Sequence, residues 1–190
     1  MDNFNEICRE DGYPETTLEE YLNNFEFPSI KYYLKHGFDV SRFDVLAARF
    51  QTKYENVWKK KASLFDGVEE TLKEFKSRGF KLYVLSATRE WFLKYQLTEL
   101  GIIDLFDGMV GSSNGLGESK IEFGKRYILS QNLNLDECVM VGDTVHDFEV
   151  ATAIGIDCVL STLGHCTKER LSVCNVEMVD SFKELLNVIK

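Results

Sequence analysis

The stretch VMVGDTVHDFEVATAIGIDCV, residues 139–159, contains the strongest fold signal in the chain. It begins as a short apolar run, breaks at Gly142-Asp143, and continues as a helical pattern that ends at Gly155 before a second apolar run. A strand, a helix and another strand in this order are typical of a parallel sheet covered by helices. A second acid, Asp147, follows Asp143. Two carboxylates therefore stand where a buried strand gives way to a helix.

The same alternation extends over residues 63–190. Short apolar runs predict strands, and amphipathic segments that end at glycines predict helices between them. The predicted strands are FKLYVL, GMVG, CVMVG, DCVLS and NVEMV, and SFKELLNVIK is the predicted last helix. Alternating strands and helices predict a doubly wound parallel α/β sheet with helices on both faces.

Residues 1–62 show only helical signals. Thr16-Thr17-Leu18-Glu19 fits a capping box at a helix start, and apolar residues recur at three- and four-residue steps from Phe43 to Tyr54. No β-rich run interrupts this part. We therefore predict two domains, an all-helical one over 1–62 and an α/β core over 63–190.

Composition and charge limit the classes of partner. The 190 residues carry a net charge of -9, which argues against a nucleic-acid backbone or an anionic membrane as the main partner. A small phosphate ester stays compatible, because a local site can be positive in an acidic protein. The five cysteines form no C-x-x-C pair, and we read them as reduced thiols of a cytoplasmic protein. His146 and His165 lack metal-ligand spacing and are interpreted as surface or loop residues.

The candidate functional residues lie at the ends of two predicted strands and at the start of one predicted helix. Ligands bind beyond the carboxyl ends of strands in an open α/β sheet. Ser86 ends one predicted strand, Asp143 ends another, and Lys120 begins a helix after the loop SSNGLGES. The Ser86 hydroxyl, the Ala87 backbone N–H and Lys120 would bind phosphate oxygens. Asp143 and Asp147 would hold Mg²⁺, which prefers carboxylate oxygen.

Each of these residues also has an ordinary structural interpretation. Thr144-x-x-Asp147 is itself a capping-box pattern, and Asp147 would then offset the helix dipole. Ser86 fits an N-cap of the helix that follows. Most lysines are solvated surface residues, so Lys120 alone is weak support. Only the order and spacing of the residues together favour a site.

The combined pattern resembles the haloacid dehalogenase (HAD) superfamily, in particular its phosphoglycolate-phosphatase-like branch with a helical cap. LFDGVEETLKEFKSRGFKLYVLSAT resembles the segment that ends in the family's Ser/Thr, here Ser86. ESKIEFGKRYILSQNL supplies the motif lysine, Lys120, although the family's common Lys-Pro is Lys-Ile here. GDTVHD resembles the acidic motif Gly-Asp-Thr-x-x-Asp and is the most specific part of the resemblance.

The resemblance implies an Mg²⁺-dependent phosphatase of small phosphorylated metabolites that works through an aspartyl-phosphate. It implies that Ser86 holds phosphoryl oxygens, that Lys120 pairs with the nucleophile and the phosphate, and that Asp143 ligates Mg²⁺. Asp147 would orient the water shell of the metal or Lys120. The cap, residues 1–62, would exclude bulk water and select the substrate.

The family's first motif, Asp-x-Asp-Gly-Thr, is absent from the sequence. Asp66-Gly67 and Asp107-Gly108 lack the paired acid and are predicted to be turns. Asp2 aligns with the acid that trails the motif, so we expect the nucleophile to be encoded shortly before Met1, and the chain as given to be truncated and inactive or weakly active. The alternative is a non-catalytic HAD-like pseudoenzyme acting as a binding or regulatory module.

The missing motif also has a consequence for the sheet. In the family, the strand before the motif is central, between those that match FKLYVL and CVMVG. Two strand edges would be left unpaired without it, which invites aggregation or swapping. We expect either that these two strands close up or that a segment of another molecule fills the gap, through a dimer or a strand swap.

Overall fold

A computed structural model describes residues 1–113 and 120–190, with the side chains of 59–61 excepted. Most of the predicted loop SSNGLGES lies outside the described residues. Four helices come first: α1 (Asp2–Asp11), α2 (Leu18–Asn24), α3 (Ile30–Lys35) and α4 (Phe43–Lys61). The rest is α5 (Val68–Ser77), β1 (Tyr83–Arg89), α6 (Glu90–Glu99), β2 (Gly108–Ser112), α7 (Lys120–Ser130), β3 (Val139–Gly142), α8 (Val145–Ile154), β4 (Asp157–Ser161), α9 (Lys168–Ser172), β5 (Glu177–Val179) and α10 (Leu185–Val188).

The first four helices pack around aromatic side chains. Phe4 is almost fully buried, and its ring lies 4.8 Å from that of Tyr32 and 5.1 Å from that of Tyr33. Ion pairs from Arg49 to Glu10 and from Lys53 to Glu6 join α4 to α1 at the surface of this cluster. We call residues 1–62 the helical part and residues 63–190 the α/β part. Their division into two domains at this point remains a prediction.

The capping box of α2 lies one residue later than predicted. Thr17 and Glu20, not Thr16 and Glu19, make the reciprocal hydrogen bonds. Thr16 has a different role because the Asn5 side chain accepts its N–H at 2.9 Å and donates to its carbonyl at 2.8 Å. This buried pair ties the segment before α2 to α1.

The strands are all parallel and confirm the predicted α/β class. β1 pairs with β2, and β4 pairs with both β3 and β5. β1 begins at Tyr83, later than predicted, because Asp107 bonds the preceding backbone: its carboxylate accepts the Leu82 N–H, and its own N–H donates to the Leu82 carbonyl. The predicted last helix is split into a 3₁₀ turn, Phe182–Glu184, and the short α10.

The strands form two separate sheets. In the described part of the chain, β1 and β3 have no ladder between them, so closing up, the first of the two expected alternatives, is not observed. Each has one open edge, and Val141 in the middle of β3 is 41% exposed. α7 packs on the first sheet and against α8, because a Cβ at Gly124 would lie 3.1 Å from both Leu85 of β1 and Ile154 of α8. Packing of α7 against α8 therefore connects the two sheets, which no strand ladder joins in the described residues.

No helix in residues 1–113 and 120–190 is long and apolar enough to cross a membrane.

Replacing Leu160 by alanine is expected to destabilise the protein strongly. Leu160 lies in β4 and is 0% exposed, and emptying such a site costs about 2–5 kcal/mol. Urea unfolding followed by circular dichroism measures this loss. Leu129→Ala, at a position that is 79% exposed, is the control, and an equal loss in the two variants would contradict the placement of the core.

Candidate active site

The turn between β3 and α8 forms the centre of the candidate site. β3 ends at Gly142, Asp143 and Thr144 form the turn, and α8 begins at Val145. The Asp147 side chain folds back over the strand end, so that a Cβ at residue 142 would lie 2.2 Å from the Asp147 Cβ. No side chain fits there. The Asp147 side chain can therefore reach the carboxyl end of β3 only because residue 142 is glycine.

Hydrogen bonds within the turn fasten Asp147. Its Oδ2 accepts the N–H groups of Asp143 and Thr144, both at 3.1 Å, and the Thr144 hydroxyl at 2.7 Å. The Thr144 Oγ1 in turn accepts the Asp147 N–H at 3.2 Å. The capping box predicted for Thr144 and Asp147 is therefore confirmed.

Lys120, which is half-buried, forms an ion pair with the buried Asp147. Its Nζ lies 2.5 Å from Oδ1 of Asp147, and the two side chains are 17% and 9% exposed. Lys120 is thus not the solvated surface lysine of the ordinary interpretation. Burial alone would raise the pKa of Asp147, but the charge and hydrogen bond of Lys120, with those from Thr144 and the Asp143 N–H, lower it below 3.8. Asp147 is therefore a carboxylate at neutral pH.

Asp143 is held by the loop after β4. Its Oδ2 accepts the backbone N–H of His165 at 2.8 Å and lies 2.8 Å from the His165 Nδ1. Gly164 allows this approach, since a Cβ there would lie 1.9 Å from the same oxygen. Sequence reasoning missed His165 because it looked for metal-ligand spacing. The signal that would have found it is its position just beyond the carboxyl end of a strand.

Ser86 is the middle residue of β1, which continues to Arg89, so the strand does not end at Ser86 as predicted. Its Oγ accepts the Thr88 N–H at 3.1 Å, and the N-cap residue of α6 is Arg89, so Ser86 is not the helix cap of the ordinary interpretation. Within the described residues, no hydrogen bond joins Ser86 or the exposed Ala87 to Lys120 or the acids. Gly124 lies one turn after Lys120 and against Leu85, which places the start of α7 beside the end of β1.

A groove of about 510 Å³ opens in front of Asp143. The α/β part contributes Val141, Gly142, Asp143 and His165 to its wall, and the helical part contributes Tyr21 and Leu22. The groove continues along the open edge of β3. A ligand that reaches Asp143 therefore meets both parts of the protein.

Asp143 is better suited than Asp147 to bind a hard cation. Oδ1 of Asp143 accepts no hydrogen bond from the described residues, and its carboxylate oxygen suits Mg²⁺. Both oxygens of Asp147 are already engaged, which favours a role in orienting Lys120. Within the described ranges no three His, Cys, Asp or Glu residues cluster as a metal site, so Asp143 would need ligands from outside this set.

Comparisons with known proteins agree with this architecture. The family described as Haloacid dehalogenase-like hydrolase matches residues 1–161, and the chain belongs to that family. A phosphoglycolate phosphatase of Colwellia psychrerythraea is 32% identical over 129 residues, which cover 67% of this chain and 57% of that protein. A phosphoglycolate phosphatase of Aliivibrio fischeri is 25% identical over 94% of this chain and 83% of its own length. These relatives support the phosphoglycolate-phosphatase-like branch.

The fold is also that of solved structures of the family. A haloacid dehalogenase-like hydrolase from Streptococcus pneumoniae superposes with a TM-score of 0.86 at 19% identity, covering 100% of this chain and 89% of that chain. At this identity the likeness concerns the fold alone. The predicted class, a parallel α/β core with N-terminal helices, is thereby confirmed.

Replacing Asp147 by asparagine should destabilise the protein at neutral pH, because the half-buried Lys120 loses its partner at a cost of about 3 kcal/mol. The folded protein lowers the pKa of Asp147, so its stabilising effect is present above about pH 4 and is lost as the pH falls through the lower folded value. Urea unfolding from pH 7 to pH 3 should show the two proteins converging. Asp180→Asn, which removes an exposed ion pair with Lys168, should cost less. A constant difference across this range would contradict the assignment.

Proposed function

We propose that this chain supplies the phosphate- and cation-binding half of an Mg²⁺-dependent phosphatase site that hydrolyses small phosphate esters through an aspartyl-phosphate. The observation that carries the proposal is the Lys120–Asp147 ion pair at the end of β3, beside Asp143. The relatives named phosphoglycolate phosphatase support the reaction class. The five free cysteines support our further proposal of a cytoplasmic protein.

Each residue of the site has a role in this proposal. The Lys120 ammonium binds a phosphate oxygen, and Asp147 keeps that ammonium in place. The Ser86 hydroxyl and the Ala87 N–H donate to the other phosphoryl oxygens. Asp143 is the residue that would hold Mg²⁺, with Asp147 behind it. The bound ion would neutralise charge on the phosphate.

The chemistry requires a nucleophilic carboxylate as well. One carboxylate oxygen attacks phosphorus, the ester P–O bond breaks, and the alcohol leaves with a proton from a neighbouring acid. Water then attacks phosphorus, which releases inorganic phosphate and restores the carboxylate. Asp143 and Asp147 are both held by hydrogen bonds, so neither is assigned this role. In the proposal an aspartate outside the described residues attacks.

A strand that pairs with the open edges of β1 and β3 would bring that aspartate to the site. A strand parallel to both would complete the two ladders and would end beside Lys120. Its path is apolar, because the groove at the β3 edge includes the exposed side chains of Met1, Leu18, Phe65 and Val141. A strand exchanged with a second copy of the chain would cover the same edges without supplying the aspartate. In the proposal, the aspartate therefore comes from a segment other than residues 1–190, such as residues encoded before Met1.

A non-catalytic binding module is the second candidate. It is favoured by one observation: hydrogen bonds connect Lys120, Asp147, Asp143 and His165 to one another. Such a site could bind phosphate without turning it over.

Hydrolysis of p-nitrophenyl phosphate tests the two candidates. The chain as given should show background rates, and the chain extended by the residues encoded upstream should be active with MgCl₂ and inactive with EDTA. In the extended protein, Lys120→Met should lower kcat/KM by about 10²–10³-fold, and Lys125→Met, on the exposed side of the same helix, should not. A folded, extended protein that binds phosphate but hydrolyses no ester would favour the binding module.

Self-association tests the open strand edges. We expect the chain as given to form dimers or larger species as its concentration rises, because unpaired edges join other strands. Val141→Glu places a charge on the β3 edge and should weaken the association measured by light scattering. Leu129→Glu, on α7 and 79% exposed, is the control. A chain that stays monomeric at every concentration would count against these edges as docking surfaces.

A further inference from the structure

Arg170 connects the α/β part to the helical part. It lies on α9, and its Nη1 donates to the carbonyl of Leu22 and its Nη2 to the carbonyl of Phe25, both at 2.7 Å. Both acceptors belong to the C-terminal end of α2. Arg170 is half-buried, so these bonds are partly shielded from water.

The C-terminal end of α2 is well suited to this contact. The last carbonyls of a helix have no partner within the helix, and the helix dipole favours a cation there. The last turn of α2 carries no basic residue of its own. A guanidinium group presents parallel donors in a rigid fork and can bind two carbonyls at once. Arg170 thus supplies the charge and the donors that α2 lacks.

The segment held by Arg170 carries two aromatic side chains, Tyr21 and Phe25, that lie near His165. Tyr21 and Phe25 stack at 4.9 Å, and their rings lie 6.0 Å and 5.5 Å from that of His165. His165 in turn binds Asp143. A continuous set of contacts therefore runs from Arg170 through α2 and its aromatic side chains to the candidate site.

A second contact across the boundary lies in another place. Gln96 Nε2 donates to the Tyr54 hydroxyl at 3.0 Å, and Tyr54 belongs to α4, the helix that leads into the connection to α5. That contact therefore stabilises the chain near the connection. Arg170 acts on α2 instead, which is separated from the connection by α3 and α4.

We propose that Arg170 is a positioning residue that latches α2 against the α/β part and so keeps Tyr21 and Phe25 beside His165, the residue that binds Asp143. When the latch is broken, α2 moves away from His165 and the groove in front of Asp143 opens. The latch goes beyond the proposed function and does not rest on it, because it concerns the position of the helix and not the chemistry at phosphorus.

Hydrogen–deuterium exchange of the chain as given tests the latch. In Arg170→Met, which keeps an unbranched apolar side chain, peptides covering Leu18–Asn24 should exchange at least about ten-fold faster, because two bonds from a charged donor are lost. Arg78→Met is the matched control, since Arg78 donates to the Leu186 carbonyl at 3.0 Å within the α/β part. It should leave α2 unchanged.

Arg170→Lys separates positioning from general loss of stability. A lysine retains the charge at the helix end without the fork, so exchange of α2 should return part of the way to the unsubstituted rate. Faster exchange confined to α2 and the loop at His165, with this partial rescue, supports the latch. An increase no larger than in Arg78→Met, or an equal increase across all peptides, overturns it. Because exchange is read without any substrate, failure of the phosphatase assay leaves this result unaffected.

Discussion

The ion pair between Lys120 and Asp147 is the interaction on which the candidate site depends. Lys120 begins α7 and Asp147 lies in the first turn of α8, so the pair joins the two helices that hold the separate sheets together. A partly buried lysine or a buried carboxylate is costly alone, and each is tolerated here because the other is present. The same ion pair therefore joins α7 to α8 and holds Lys120 in the candidate site.

Close backbone approach is the second condition. The pair forms only because Gly142 allows the Asp147 side chain to lie across the end of β3, and Asp143 reaches His165 only because Gly164 lacks a Cβ. The carboxylates are held by backbone N–H groups as well as by side chains. Such bonds pre-organise the acids, because backbone donors at a strand–helix turn need no rearrangement when a ligand arrives.

The helical part completes the surroundings of the site. α2 brings Tyr21 and Phe25 to His165, and the groove in front of Asp143 takes part of its wall from the same helix. In the proposed phosphatase, the helical part would cover the phosphate ester and exclude bulk water. The contact of Arg170 with α2 joins the helical part to the α/β part, and β1 and β3 each keep one open edge in the described residues.

The sequence by itself determined the α/β class and the succession of strands and helices along the chain, because alternating apolar runs are local patterns. It also singled out Ser86, Lys120, Asp143 and Asp147 as proposed site residues, because the Gly-Asp-Thr-x-x-Asp turn is a local pattern too. It also indicated, through the missing first motif, that β1 and β3 would lack a strand between them. Only the tertiary structure decided that β1 and β3 form no ladder with each other and that Asp147 forms an ion pair with Lys120. It also decided that His165 and Arg170 link the site to α2. These contacts join residues 22 to 148 positions apart. No local pattern encodes such pairs, since they arise when separate elements pack and their polar groups must find partners.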